Sequence, residues 1–295
     1  MEFFENSLWA SAVHPKISVI TPFYNRIEYL SRPFGSMKSQ TFTDFEYIIV
    51  NDGSSEDADD MVRSFMDEVS FPVLYIKKPN GGVHTARNQG TRLSRGELIA
   101  FLDADDEFMP DAFKKMTEAW DALADKSSFR EVVVKEKDEN GNPVNHFIAL
   151  NRADIFKQNL FPEPEGVKFV DEGIMWHRLS SYKSLLLDEV LFIYHRNDVS
   201  ESITQPRGKI TIQNCIDKLW NFKYEFENRK QLGYSSLQSL KNLFYFLSFR
   251  DILKLKGAYP DYSWAAWNAS SEAFLGVMLK PLTFVSAKYY IKKRM

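Results

Sequence analysis

Cysteine is nearly absent. The 295-residue chain has one, Cys215. That excludes an internal disulfide framework and any zinc site built from cysteines, and it fits a reducing compartment. No apolar run is long enough to span a bilayer. The opening residues, Met1-Glu2-Phe3-Phe4-Glu5-Asn6, are acidic and do not set a basic segment before an apolar one, so no secretory signal is expected. Tandem repeats and low-complexity tracts are missing too. No recognition motif accompanies the basic residues, so a nucleic-acid partner is not expected. The expected location is cytoplasmic, with peripheral attachment to the inner face of a membrane left open. What remains is an ordinary globular composition, 44% hydrophobic and 26% charged, enough for one large domain and an extension.

The net charge of −3 hides an asymmetry. Residues 209–295 hold 14 Lys/Arg against 6 Asp/Glu (+8), and residues 1–208 hold 23 against 34 (−11). An acidic body with a basic tail bears on partners rather than on fold.

Four short apolar runs read as buried strands: Ile17–Ile20, Tyr47–Val50, Val73–Ile76 and Leu98–Leu102. Helical patterns lie between them, near 27–40, 57–69 and 83–94. This alternation predicts a mostly parallel, Rossmann-like α/β sheet flanked by helices and joined by right-handed crossovers. A further helix is expected over 110–124, with Pro110 in its first turn. A hairpin is expected over 131–150, turning at Asn140-Gly141. A short helix over 151–159, a helix over 171–181 and a strand over 189–194 follow. From Lys209 the pattern is helical and aromatic-rich. The expected division is therefore a domain of residues 1–208, split near 113/114, and a helical extension of 209–295. The boundary is placed at Gln205-Pro206-Arg207-Gly208.

In such a sheet the carboxyl ends of the strands share one rim, where open α/β folds bind ligands. Three polar segments converge there. Asp103-Ala104-Asp105-Asp106 closes the fourth strand. Two acids spaced Asp-x-Asp suit a hard divalent cation, although Asp is equally at home as a helix cap or in a solvated turn. Asn51-Asp52-Gly53-Ser54 ends the second strand. Its Asp52 could accept from a base or a ribose, while its serines suit a helix cap. Asn80-Gly81-Gly82 leads into a helix start, where backbone N–H groups favour an anion, with Arg87 one turn further on. Together these point to an enzyme handling a nucleoside diphosphate and a metal.

Taken in order, Ile17-Ser18-Val19-Ile20-Thr21-Pro22-Phe23-Tyr24-Asn25-Arg26, Ile48-Ile49-Val50-Asn51-Asp52-Gly53-Ser54, Gly81 through Arg87-Asn88-Gln89-Gly90, and Leu102-Asp103-Ala104-Asp105-Asp106 resemble the family 2 glycosyltransferases of the GT-A fold. The resemblance is close over about 16–113, looser to about 202, and does not reach 209–295. It implies inverting sugar transfer from a nucleotide-sugar, usually a UDP-sugar, to a glycan or lipid-linked acceptor, as in surface polysaccharide synthesis. It also implies that Pro22, Tyr24, Asp52 and Arg87 line the nucleotide pocket. Asp103 would touch the ribose and the metal shell, and Asp105 would bind Mn²⁺ or Mg²⁺ directly. The family's base, an Asp preceded by Glu with an Arg two turns on, corresponds to Val170-Asp171-Glu172 before Arg178. Counting back from Arg178 puts Glu172 at the base position and Asp171 beside it, with the usual order reversed. Both also suit a helix start. His195, in Tyr194-His195-Arg196, stands where the family often has Arg, and would approach the diphosphate or complete the metal shell. Trp176 and His177 would face the acceptor, or pack in the core.

In the tail, Phe274-Leu275, Met278-Leu279, Leu282, Val285 and Tyr289 fall at helical spacing, and Lys288, Lys292, Lys293 and Arg294 crowd the end. Such a face fits an anionic membrane surface or, equally, packing on the chain's own domain or in a homo-oligomer. Within enzymes the rival is a metal-dependent nucleotidyltransferase. Outside them it is a catalytically inactive nucleotide-sugar-binding scaffold.

Overall fold

The computed structural model describes residues 1–11, 14–195, 211–261, 282–288 and 291–292. These divide into two compact units: residues 1–160 with 179–195, and residues 161–178 with the described residues from 211 onward. The boundary expected at 205–208 lies outside the described residues. So do Phe274, Leu275, Met278, Leu279, Tyr289, Lys293 and Arg294. The segment 161–178 groups with the helical part of the chain rather than with the sheet that flanks it in sequence.

The first unit is built on one sheet. In chain order its strands are β1 (Glu2–Glu5), β2 (Ile17–Phe23), β3 (Phe45–Asn51), β4 (Val73–Lys77), β5 (Leu98–Phe101), β6 (Glu107–Phe108), β7 (Phe129–Asp138), β8 (Pro143–Arg152) and β9 (Lys183–Tyr194). In space they run β1-β4-β3-β2-β5-β8-β7-β9-β6. The centre, β4-β3-β2-β5, is parallel and consists of the four apolar runs. Every residue of β2 and β3 is buried, as it must be for strands covered on both faces. Outside this centre the sheet is mixed. β1 and β8 run antiparallel to β4 and β5, β9 runs parallel to β7, and β6 runs antiparallel to β9.

The crossovers are helical: α1 (Ser31–Lys38, after a 3₁₀ turn at Ile27–Tyr29), α2 (Asp59–Glu68) and α3 (Val83–Leu93), with α4 (Ala112–Asp121) after β6 and α5 (Ala153–Gln158) after β8. α2 turns Val62, Phe65 and Met66 to the core at helical spacing. Phe34 of α1 stacks on Phe65 at 4.0 Å between ring centroids, and Tyr47 meets both edge-on. α3 lies close on the sheet because Gly90 permits it. A Cβ there would stand 2.5 Å from Ile20 Cγ2, so any side chain would lift the helix that carries Arg87.

Several elements depart from expectation; among them, Pro110 lies before α4 and not in its first turn, because Asp111 is the N-cap residue of that helix. β1 is an edge strand over Glu2–Glu5, a stretch whose charges hide it. β9 starts at Lys183 rather than 189, because its first half pairs with β7 despite lacking alternation. The helix expected over 171–181 is α6, Gly173–Arg178 only, since the chain must already turn at Leu179–Tyr182 to enter β9. One polar cluster is also buried inside the sheet. Glu46, with no exposed surface, accepts from Ser18 Oγ (2.6 Å), Arg95 N (2.7 Å) and Arg95 Nε (2.7 Å).

The second unit contains α6, α7 (Ile212–Glu227), α8 (Ser235-capped, Ser236–Leu255) and a short helix over 282–288. α7 and α8 each begin with a reciprocal cap, Thr211 with Asn214 and Ser235 with Gln238, which satisfies first-turn N–H groups that would otherwise lack partners. Cys215, Leu219, Phe226, Leu243, Phe246, Leu247 and Ile252 form their core. In the 282–288 helix the buried positions are Thr283 and Ala287, while Leu282 and Val285 are exposed. No helix among the described residues is long and apolar enough to cross a membrane.

Candidate functional site

The parallel centre sends β2, β3, β4 and β5 out at one rim, and short polar contacts tie the loops there into a single structure. Asp52 N–H donates to Phe23 O (2.8 Å). Asn25 N–H donates to Ser54 Oγ (2.8 Å), and Asn25 Oδ1 accepts from Ser55 N–H (3.0 Å). Asn51 Oδ1 accepts from Ser54 N–H (2.8 Å). Asn25 and Arg26 both take left-handed backbone angles (φ 51° and 64°). Such angles are uncommon outside glycine, and neighbouring contacts must hold them. Gly53 is required outright. Its φ is +76°, and a Cβ would meet the Asn80 backbone nitrogen at 2.5 Å.

Asp52 is 2% exposed. Its two oxygens accept from Gly81 N–H (3.0 Å) and Gly82 N–H (2.7 Å) and pair with the Lys78 ammonium. Lys78 also donates to Thr85 Oγ1 (2.9 Å) and Pro79 O (2.8 Å). The carboxylate expected to read a base thus also pins the glycine turn that opens α3. Lys78 is a residue that sequence reasoning missed. The signal was its place two residues before Asn80-Gly81, opposite an acid on the neighbouring parallel strand.

Arg87, 8% exposed and one turn into α3, donates to Asp103 Oδ1 (2.9 Å) and lies 5.6 Å from the Phe101 ring centroid. Asp105 meets Arg26 Nη1 at 3.3 Å, and its carbonyl accepts from Arg32 (3.2 Å). Arg26 and Arg32 were also missed as site residues, although Arg26 closes the first motif. Asp106 is buried. Loss of water, reinforced by Asp103 and Asp105 beside it, pushes its carboxyl up to about 9. It accepts from His195 N–H (2.8 Å). The His195 ring contacts Glu107 Oε1 through Nε2 at 2.7 Å, which brings the end of β9 to the acidic turn. Tyr24 stands half-exposed just past β2, and Pro22 is buried in β2 beside Val50.

The sheet's topology therefore gathers Pro22, Tyr24, Asp52, Arg87, Asp103, Asp105 and His195 in one unit, with three arginines and a lysine among five carboxylates. Among the described residues no three His, Cys, Asp or Glu side chains form a metal cage by themselves. The donor set still suits a divalent cation completed by other oxygens. Asp103 and Asp105 offer hard carboxylate ligands, and Mg²⁺ and Mn²⁺ commonly take the rest from phosphates and water.

Asp171 and Glu172 belong to the second unit. Asp171 Oδ1 accepts from Gly173 N–H (2.7 Å) at the start of α6. His177 meets Tyr234 edge-on at 4.6 Å, and Arg178 lies against Tyr224 and donates to its hydroxyl.

The family model for glycosyl transferase family 2 matches residues 18–186, more than half of the chain. The chain belongs to this family. An uncharacterized glycosyltransferase of Bacillus subtilis, EpsJ, is 26% identical over 251 residues, 74% of this chain and 72% of that protein. A Rickettsia bellii glycosyltransferase is 30% identical over 186 residues, 56% of this chain. The chain spans only 26% of that relative, and 33% of one from Nostoc. Two solved structures share the fold at 15% identity. Staphylococcus aureus TarS 1-349 in complex with UDP-GlcNAc has a TM-score of 0.58 and covers 94% of this chain and 92% of that one. Mannosyltransferase PcManGT from Pyrobaculum calidifontis, in complex with GDP-Man and Mn²⁺, has a TM-score of 0.53 and covers 94% and 87%. Both likenesses support the GT-A architecture of this family 2 chain.

Proposed function

We propose that this protein moves a sugar from a nucleotide-sugar, with UDP as the nucleotide, to a hydroxyl of a glycan or lipid-linked acceptor, inverting the anomeric carbon. The observation that carries this reading is the linked rim of Asp52, Arg87, Asp103 and Asp105 in a chain matched by the family 2 model. The UDP-GlcNAc complex of TarS supports the donor class, and the Mn²⁺ of PcManGT supports a divalent ion.

In this reading Pro22, Tyr24 and Asp52 receive the nucleoside. Arg87 and Arg26 face the diphosphate, where their charge offsets the negative charge that grows as it leaves. Asp105, with Asp103 and His195 as further candidates, holds Mn²⁺ or Mg²⁺. When bound, that ion supplies Lewis-acid stabilisation of the departing phosphate. Each of these guanidiniums is paired with an aspartate, Arg87 with Asp103 and Arg26 with Asp105. Taking up diphosphate and cation together offers each member of both pairs a counter-charge. On the acceptor side the hydroxyl oxygen attacks the anomeric carbon and the carbon–phosphate oxygen bond breaks. The hydroxyl proton passes to a carboxylate. Glu172 is the proposed base, with Asp171, whose Oδ1 accepts the Gly173 N–H, as its rival.

A panel of UDP-, GDP- and dTDP-sugars with Mn²⁺, read by thermal shift and by slow hydrolysis, tests this. Binding to the folded state raises apparent stability. Released nucleoside diphosphate marks sugar transfer to water, and released pyrophosphate marks a nucleotidyltransferase. Binding without turnover marks a scaffold. If no nucleotide protects the protein with any divalent ion, the donor site is wrongly assigned.

Exposed Leu282 and Val285, three residues apart beside Lys288, support a peripheral contact with anionic membrane at the cytoplasmic face. Sedimentation with phosphatidylglycerol vesicles should fall for the Leu282→Glu/Val285→Glu variant. Unchanged partitioning would remove that part of the reading.

A further inference from the structure

The helical extension lies outside the family-matched residues 18–186, yet α7 holds the stretch that bears Asp171 and Glu172. Four polar residues, Gln213, Asp217, Asn221 and Glu225, recur every four positions along one face of α7. Opposite them runs the segment 166–171, which has no helix or strand of its own. Gln213 Nε2 donates to Gly166 O (2.8 Å) and to Asp217 Oδ1 (2.8 Å). Asp217 Oδ1 accepts from Lys168 N–H (2.8 Å). Asn221 Nδ2 donates to Phe169 O (2.9 Å) and to Asp217 O (2.8 Å), and its Oδ1 accepts from Asp171 N–H (2.8 Å). Glu225, held by Asn242 Nδ2 (2.7 Å) of α8, ends the row within reach of the Asp171 charge.

The contacts keep chain order: Gly166 meets residue 213, Lys168 residue 217, and Phe169 and Asp171 residue 221. Backbone groups that pair with no strand are satisfied by side chains instead. Asp217 and Asn221 are 5% and 7% exposed. A surface helix has no need of buried polar groups; a splint for an irregular backbone does. Val167, Val170 and Ile174, also buried, anchor the same stretch from its apolar side.

We propose that Asn221 and Asp217 are positioning residues for the proton-accepting carboxylate at 171–172, which makes α7 a working part of the transferase. This rests on the reading of Glu172 or Asp171 as the base.

The test uses the full chain and the nucleotide-sugar hydrolysed fastest in the panel above. Asn221→Leu removes all three hydrogen bonds. It should lower kcat by about 10–100-fold, the scale of a misplaced catalytic group, and leave the Kd for UDP with Mn²⁺ within about two-fold. Amide exchange at 168–171 should speed up. Asp217→Leu should behave alike, whereas Asp217→Asn keeps an oxygen for the Lys168 N–H and should restore most of kcat. If Asn221→Leu does not fold, Gln213→Ala at the half-exposed end of the row replaces it, with a smaller kcat loss expected. Faster exchange at 168–171 with unchanged kcat overturns the proposal. So does a parallel loss of kcat and UDP binding. Asp171→Asn and Glu172→Gln separate the two levels. If neither lowers kcat, or if no nucleotide-sugar is turned over, the base reading itself falls. If one lowers kcat and Asn221→Leu does not, only the positioning role falls.

Discussion

Replacing Asp52 by alanine should cost more stability than any single loop residue ordinarily carries. The carboxylate is almost fully buried and serves three donors, the N–H groups of Gly81 and Gly82 and the Lys78 ammonium. Removing one member of a buried ion pair typically costs ~3–5 kcal/mol, because the other charge stays without its counter-ion. Two amides losing an acceptor would add ~1–3 kcal/mol each if nothing relaxed. These terms share one group and do not sum. Lys78, moreover, keeps Thr85 Oγ1 and Pro79 O. The expected loss for Asp52→Ala is therefore about 3–5 kcal/mol, a large share of a domain's usual ~5–15 kcal/mol. In urea, with m of ~1–3 kcal/mol per M, the midpoint should fall by ~1–3 M at unchanged m. Asp52→Asn retains one oxygen and should fall in between. Lys78→Met leaves the carboxylate two N–H donors and should cost less than Asp52→Ala. Nucleotide affinity is measured on the same variants under conditions where each is folded. A loss below ~1 kcal/mol in Asp52→Ala, together with lost UDP binding, would refute the reasoning. It would mean that the carboxylate serves the ligand and not the turn.

Further outcomes follow from the same contacts. Arg87→Ala frees Asp103 and should weaken UDP binding with Mn²⁺ by about ten-fold or more by calorimetry, the scale of one charge-assisted hydrogen bond. Glu46→Ala removes the buried acceptor of the Ser18 hydroxyl and of the partly exposed Arg95, which keeps Trp9 O, and should cost ~1–3 kcal/mol in urea without altering nucleotide affinity. Burial, reinforced by Asp171, raises the Glu225 carboxyl from 4.5 to about 7. Below pH 4.5 the folded and unfolded chains both hold its proton and nothing is lost. Between 4.5 and 7 the unfolded chain ionises first, so stability falls with rising pH, by up to ~3 kcal/mol. Glu225→Gln should therefore match the wild type at pH 4 and exceed it at pH 8 in thermal unfolding.

The parallel core of the sheet was legible because its strands are buried on both faces. A strand of that kind needs no partner information: Tyr47–Val50 reads as buried whatever lies beside it, and crossover handedness then sends its carboxyl end to the same rim as its neighbours'. Legibility failed at the sheet's margins. Glu2–Glu5 carries two charges in four residues and becomes β1 only because Leu74–Lys77 offers an open edge. Lys183–Asp188 becomes strand only because β7 runs alongside it. Both are decided by tertiary pairing, which no local pattern encodes.

The site divides along the same line. Which carboxylates share the rim follows from topology, but which cation each one meets does not. Asp52 pairs with Lys78, and Asp105 with Arg26, through loop geometries that depend on Gly53 and on the left-handed Asn25-Arg26 pair. The row on α7 was present in the text at 213, 217, 221 and 225 as a polar stripe at helical spacing. A stripe of that kind reads as a solvated face, since most are. What distinguishes it is burial, and burial depends on the irregular segment 166–171, whose sequence shows no helical or strand pattern before the helix expected from 171. An irregular backbone held inside a protein must find hydrogen bonds somewhere, so a buried polar stripe and an unpaired loop are two halves of one requirement. Neither half is informative until the other is in place. That is why the residues that hold Asp171 were harder to find than Asp171 itself.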